Sequence, residues 1–266
     1  MSDTASPLEG PPPTEVPLKN APLIRVIAQV RFPVIASIEN REFVGSFQEA
    51  IRGEYPVLRP EKAQALILGP DGPVAIRPST VWRFSETRGP WRVSLSPEFI
   101  ALEAVTYSSR EDFLSRLERV LEALRRNIDP KVADRIGVRY IDRVTGANLI
   151  SLPSLIRSEV ASVIGTEFSS HAQLAITESL FTLPDGAGEL KGRWGLLPAN
   201  ATVDPAAIDP IGEPSWILDL DAFMAQTRDF DVAALVTQAR SFAERIYSFF
   251  RWAVTREFLT RYGGDV

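Results

Sequence analysis

Two apolar stripes at helical spacing, each closing a run of short β-like segments, constrain the fold of this chain more than any other feature. The first carries Phe113, Leu114, Leu117, Val120, Leu121 and Leu124. These recur three and four residues apart, so they share one helix face, and the charged residues between them take the other. Ser109 followed by Asp112 has the form of a capping box, and Pro130 stops the helix near Asn127. In the second stripe Asp231 is placed as a cap, Leu235, Ala239, Phe242, Ile246, Phe249, Phe250 and Ala253 follow, and Gly263-Gly264 ends it. The spacing predicts one helix of about 32 residues, about 48 Å long at 1.5 Å per residue.

Before each stripe the text alternates. Ile24, Val26, Ala28, Val30 and Phe32 fall on one side of a strand, with Arg25, Ile27, Gln29 and Arg31 on the other. A helix over 38–53 follows, built on Ile38, Phe43, Phe47, Ala50 and Ile51. Then come ALILG, VAIR, VWRFS and WRVSLSPEFIALEAVTY, separated by turns at Pro70 to Pro73 and Arg88-Gly89-Pro90. The second half repeats this order: RIGVRYIDRVTG from Arg135, a short helix near 152–163, and HAQLAITESLF, LKGRWGLLPA and SWILDLDAF, with a proline-rich loop over 198–214. Short connections of this kind predict antiparallel pairing.

The expected fold class is therefore α+β. An antiparallel sheet is packed on one face by helices, two similar strand-helix-strands-helix halves (about 21–130 and 131–266) make a single body over 21–266, and a long helix closes the chain. Helices on one face leave the other to meet solvent, a ligand or another chain, and this open face is the expected place for function. Residues 1–20 hold five prolines and few large apolar side chains. They read as a disordered, mobile tail.

Composition removes several chemistries. There is no cysteine and a single histidine, His171, which excludes disulfides, thiolate nucleophiles and the usual zinc sites. The formal charge of -5 argues against coating nucleic acid. No apolar run reaches the roughly 18 residues of a membrane span, and residues 1–20 do not resemble a signal peptide, so a cytoplasmic protein without a membrane partner is expected. The basic residues are 25 Arg and 4 Lys. That bias fits carboxylate or phosphate recognition, and equally a genome rich in Arg codons.

Several segments together carry a family likeness: Asn20-Ala21-Pro22-Leu23 leading into Gln29-Val30-Arg31-Phe32, Trp82-Arg83-Phe84-Ser85, Trp91 through Leu95 with Phe99 and Leu102-Glu103, and Tyr107 with Phe113. Arg139-Tyr140-Ile141-Asp142 and Ile217-Leu218-Asp219-Leu220-Asp221, before a last helix rich in Phe and Arg, continue it. In these the chain resembles a sporadically distributed bacterial family without an assigned biochemical activity, the TIGR04255 family. The resemblance covers most of the chain after residue 20 and implies an association with mobile genes, including defence or toxin-antitoxin loci. It implies no catalytic residue.

The candidate chemistry lies in carboxylates and arginines. Asp219 and Asp221 are two apart on a strand and so point to one face. With a third ligand such as Glu178, Glu103 or Asp142 they could hold Mg²⁺ or Mn²⁺ for a phosphodiesterase or nuclease. The opposing expectation is that they pair with Arg135, Arg139 and Arg143, which also share one face. In that case Arg25, Arg31, Arg139, Asp219 and Asp221 form a mixed-charge platform for a protein partner or a polar small molecule, without metal or cofactor. This non-enzymatic binding role is the leading expectation. His171, in no G-x-S-x-G context, reads as structural, Gly186-Ala187-Gly188 as a hairpin turn, and Trp82, Trp91 and Trp194 as core. The last helix, with Arg240, Arg245, Arg251, Arg256 and Arg261 beside its Phe-rich stripe and partly balanced by Glu244 and Glu257, reads as the main helix packed across the sheet, its far end available for a homodimer contact.

Overall fold

The computed structural model describes residues 6–69 and 72–265 and, within them, the side chains outside 63–78. The elements in chain order are β1 (Leu23–Arg31), α1 (Arg41–Ile51), β2 (Val57–Gly69), β3 (Gly72–Ser85), β4 (Trp91–Ser96), β5 (Phe99–Ala104), α2 (Arg110–Asn127), β6 (Val132–Ala133) and β7 (Arg135–Thr145). There follow α3 (Gly146–Ile150), α4 (Leu152–Leu155), α5 (Ser158–Ala161), β8 (Ala175–Thr182), β9 (Glu189–Leu197), β10 (Ser215–Met224), β11 (Arg228–Asp229), α6 (Val232–Ala253) and α7 (Arg256–Arg261). The class is α+β, as expected. VAIR and VWRFS join into the single strand β3. Of the turn expected at Pro70 to Pro73, residues 70 and 71 lie outside the described residues.

The chain divides into two compact units that interleave along the sequence. The first comprises Ile27–Gly137 and Ala225–Arg240; the second comprises the chain up to Val26, Val138–Met224 and the chain from Ser241. The expected halves were continuous; here the first turns of α6 belong to the first unit and the rest of that helix to the second.

In the first unit the strand order is β2-β3-β4-β5-β1. Antiparallel register places Trp91 opposite Ala104, Val93 opposite Leu102 and Leu95 opposite Ile100. Period-two alternation puts these six on one face, all buried. The helices cover that face: Phe113 of α2 lies 5.7 Å from Trp91, and Phe47 of α1 meets Phe84 edge-on at 5.6 Å. Side chains of this size, fully buried, contribute roughly 1.5–3 kcal/mol each. The Ser109 cap forms as expected, its hydroxyl accepting from Asp112 N at 3.1 Å. On the reverse face Arg83 donates to Glu61 and Ser94, and Arg92 to Glu103.

In the second unit the order is β7-β10-β9-β8. Trp194 of β9 and Phe181 of β8 point to the same face and meet Phe249 of α6 at 5.8 and 5.6 Å. β9 can lie against β8 only because residue 195 is glycine: its φ is +144°, and a Cβ there would stand 1.8 Å from Ala175 O. Among the described residues no helix is long and apolar enough to cross a membrane.

Two expectations need correction. The final helix is not continuous: α6 ends at Ala253, and the Thr255 hydroxyl caps α7 by accepting from Phe258 N. The break is imposed from outside the helix. Arg157 N takes the Ala253 carbonyl, Val254 bridges to Ile156, and Thr255 donates to Leu155 and Ser154. The segment expected as a mobile tail is also held, from Gly10 onward. Arg245 donates to Gly10 O, Arg251 to Thr14 O, and Asn20 N to Tyr262 O. A proline-rich backbone leaves its carbonyls without internal partners, and Arg245 and Arg251 supply them.

Candidate functional site

The sheet face of the second unit that lies away from α6 gathers the charged groups. Arg139 and Arg143 project to it from β7, Lys191 and Arg193 from β9, Asp219 and Asp221 from β10, because each pair is two or four residues apart on its strand. Antiparallel register sets Asp219 opposite Arg193 and Asp221 opposite Lys191. Arg25 adds a guanidinium from β1. This is the face expected to be open, and it is not: the chain's own loop 198–214 lies on it, with Ala207 and Ile208 buried.

Four arginines hold that loop or the strand beneath it. Arg139 grips Asp219 with two parallel bonds, Nε to Oδ1 at 2.7 Å and Nη2 to Oδ2 at 2.8 Å, while its Nη1 donates to Asp204 Oδ2 at 2.7 Å. Arg193 donates to Glu178 at 2.8 Å and to Val203 O at 3.2 Å. Arg25 reaches Asp209 Oδ2 at 3.0 Å and Ala206 O at 3.3 Å. Arg143 Nη2 donates to Asp209 O at 2.6 Å. The loop also folds on itself, with Asp204 Oδ1 accepting from Ala206 N and Thr202 donating to Ile208 O.

The electrostatics divide these groups into two sets. The Asp219 side chain is only 5% exposed and both of its oxygens are taken. Burial opposes charge on Arg139, but the hydrogen bonds and field of Asp219 and then Asp204 outweigh it and raise its pKa. Burial likewise pushes Asp204 up, and Arg139 more than reverses this, leaving its carboxyl below the ordinary value. Arg143 is the opposite case. Burial lowers its pKa, the charge of Arg25 lowers it further, and the field of Asp209 only partly compensates. Its Nε is buried with no acceptor, and among the described residues no carboxylate pairs with it. Asp209, which faces this arginine pair, keeps a side chain 75% exposed.

Of the five expected site residues, Arg25, Arg139, Asp219 and Asp221 share the face. Arg31 does not: it lies in the first unit and pairs with Glu98 at 2.6 Å. The proposed third ligands also scatter. Glu178 is bound by Lys191 and Arg193, Glu103 lies in the first unit beside Arg92, and Asp142 points to the opposite face of β7. Among the described residues no group of three or more Asp, Glu or His is placed to hold a metal ion. His171 ends an exposed 3₁₀ turn rather than starting a strand. Sequence reasoning missed Arg193, Asp204 and Asp209. The readable signal was the pair of Asp-Pro steps, Asp204-Pro205 and Asp209-Pro210, which hold two carboxylates in extended chain five residues apart. No family model matches the chain, and no curated protein matches it.

Proposed function

We propose that this chain is a non-enzymatic binding protein that takes an acidic peptide segment of a protein partner on the Arg25–Arg143 side of this face. One observation carries the reading. The loop already presents to these two guanidiniums what such a segment would bring: one carboxylate, from Asp209, and two peptide carbonyls, of Ala206 and Asp209.

Magnitudes separate the replaceable contacts from the fixed ones. A buried, bidentate pair such as Arg139–Asp219 costs about 3–5 kcal/mol to break by removing one partner. It therefore acts as frame. An ion pair with an exposed carboxylate, such as Arg25–Asp209, is worth about 0–1 kcal/mol, so an external carboxylate can replace Asp209 at little cost. Arg143 gains more than it loses in that exchange, since it has a carbonyl but no carboxylate. That both Asp219 oxygens are engaged by Arg139 supports this reading over a metal-dependent phosphodiesterase centred on Asp219 and Asp221.

The test is calorimetric titration of the chain with a hexaglutamate peptide. Binding is expected in the micromolar to millimolar range, weakening as salt rises, and dropping at least about tenfold, which is about 1.4 kcal/mol, in Arg143→Met. No heat at millimolar peptide, or equal affinity in Arg143→Met, would overturn the proposal.

A further inference from the structure

The segment Gly10–Leu18 lies against the last three turns of α6 in a manner that is specific to backbone. Tyr247 is its centre: the hydroxyl accepts from Val16 N at 2.7 Å and donates to Thr14 O at 3.4 Å. Arg251 donates to the same carbonyl at 3.1 Å and to the Tyr247 oxygen at 3.3 Å. Its guanidinium stands 6.0 Å from the Tyr247 ring, which itself stacks on Phe250 at 6.2 Å. Two residues before Tyr247, and so on another side of the helix, Arg245 donates to Gly10 O at 2.5 Å. Below this row Val16 and Leu18 press on the bare α-carbon of Gly264, where a Cβ would come within 2.8 and 2.9 Å of them.

The prolines of the segment, Pro11, Pro12 and Pro13, are exposed. They do not anchor it by packing; their effect is to hold the chain extended, so that the carbonyls of Gly10 and Thr14 project sideways with no partner of their own. A row of aromatic and donor side chains that meets such carbonyls is how extended proline-rich peptides are recognised. We infer that the Tyr247–Arg251 face of α6, with Arg245 reaching in from an adjoining side of the helix, is a recognition site for an extended proline-rich segment, filled here in cis by residues 10–18. A peptide of the same chemistry presented in trans competes for the same donors. The tether holds the cis segment at an effective concentration in the millimolar range, so the site opens to a competitor only when the segment is released.

The probe is a fluorescent peptide with the sequence of residues 6–20, titrated by anisotropy onto the full chain and onto the full chain carrying Val16→Pro with Leu18→Asp. The first substitution removes the N–H given to Tyr247 and the second charges a packing side chain. The substituted chain is expected to bind the peptide at least about tenfold more tightly than the intact chain. Adding Tyr247→Phe with Arg251→Ala abolishes this gain, and replacing Pro11, Pro12 and Pro13 of the peptide by Gly weakens it at least about tenfold. Equal affinity of the substituted and intact chains overturns the inference. So does unchanged hydrogen exchange at the Val16 amide when Tyr247→Phe with Arg251→Ala is made in the otherwise intact chain, a readout that does not depend on release.

Discussion

Asp142→Asn turns a buried carboxyl into a measurable pH dependence of stability. Asp142 sits on the side of β7 opposite Arg139 and is 7% exposed. Among the described residues nothing donates to its carboxyl, and burial pushes it up to about 7 from an ordinary 3.8. The nearby titratable group is Tyr262, whose pKa is raised by burial and by the Asp142 charge, while its hydroxyl accepts from Asn148 at 3.2 Å. Arg261, next to Tyr262, donates to Asn148 instead. The sign follows from which state binds the proton. Below about pH 4 both folded and unfolded chains carry it, and no stability is lost. Between about pH 4 and 7 only the folded chain carries it, so stability falls by about 1.4 kcal/mol per pH unit as pH rises. Above about 7 the loss levels off near about 4 kcal/mol, an upper figure for this group. The amide that Asp142→Asn installs has no proton to lose. Urea denaturation of both chains at pH 5 and pH 8.5 reads the difference, and the substituted chain is expected to gain about 2–3 kcal/mol on the native chain between the two. Comparing two pH values cancels the fixed cost of burying an amide. A difference between the chains that does not change with pH would refute the reasoning.

Other predictions concern the frame. Asp219→Asn leaves Arg139 buried without its bidentate partner and should cost about 3 kcal/mol in chemical denaturation, whereas Arg139→Met with Asp219→Leu should recover most of it. Gly195→Ala forces a Cβ onto the Ala175 carbonyl and should cost more than about 2 kcal/mol, with amide exchange rising first along β8. Thr255→Ala removes the cap of α7 together with its bonds to Ser154 and Leu155, and should lower stability by about 1–2 kcal/mol.

What could be read from sequence was what depends on near neighbours. The stripe from Phe113 to Leu124, its Ser109 cap and the Asp231 cap, which accepts from Ala234 N at 2.8 Å, stand as expected. The Asp219–Arg139 pair was legible too, because alternation alone assigns both to one face. The break after Ala253 was not, since the groups that capture its carbonyl and Thr255 lie about 100 residues earlier, at 154–157. The tail was misjudged for the same reason: composition reports that residues 10–20 bury little, but not that Arg245, Tyr247 and Arg251 await their carbonyls. The open face failed likewise. A proline-rich loop reads as solvent-exposed until the arginines that hold it are placed beneath it.

The most direct test of the binding account removes the internal competitor. If Asp209 stands where a partner's carboxylate binds, Asp209→Ala should leave the fold intact and raise affinity for the hexaglutamate peptide about two- to fivefold, the pair it breaks, whose carboxylate is 75% exposed, being worth about 0.5–1 kcal/mol. Arg25→Ala in the same background should remove the gain. Affinity that falls, or does not change, in Asp209→Ala would contradict the account.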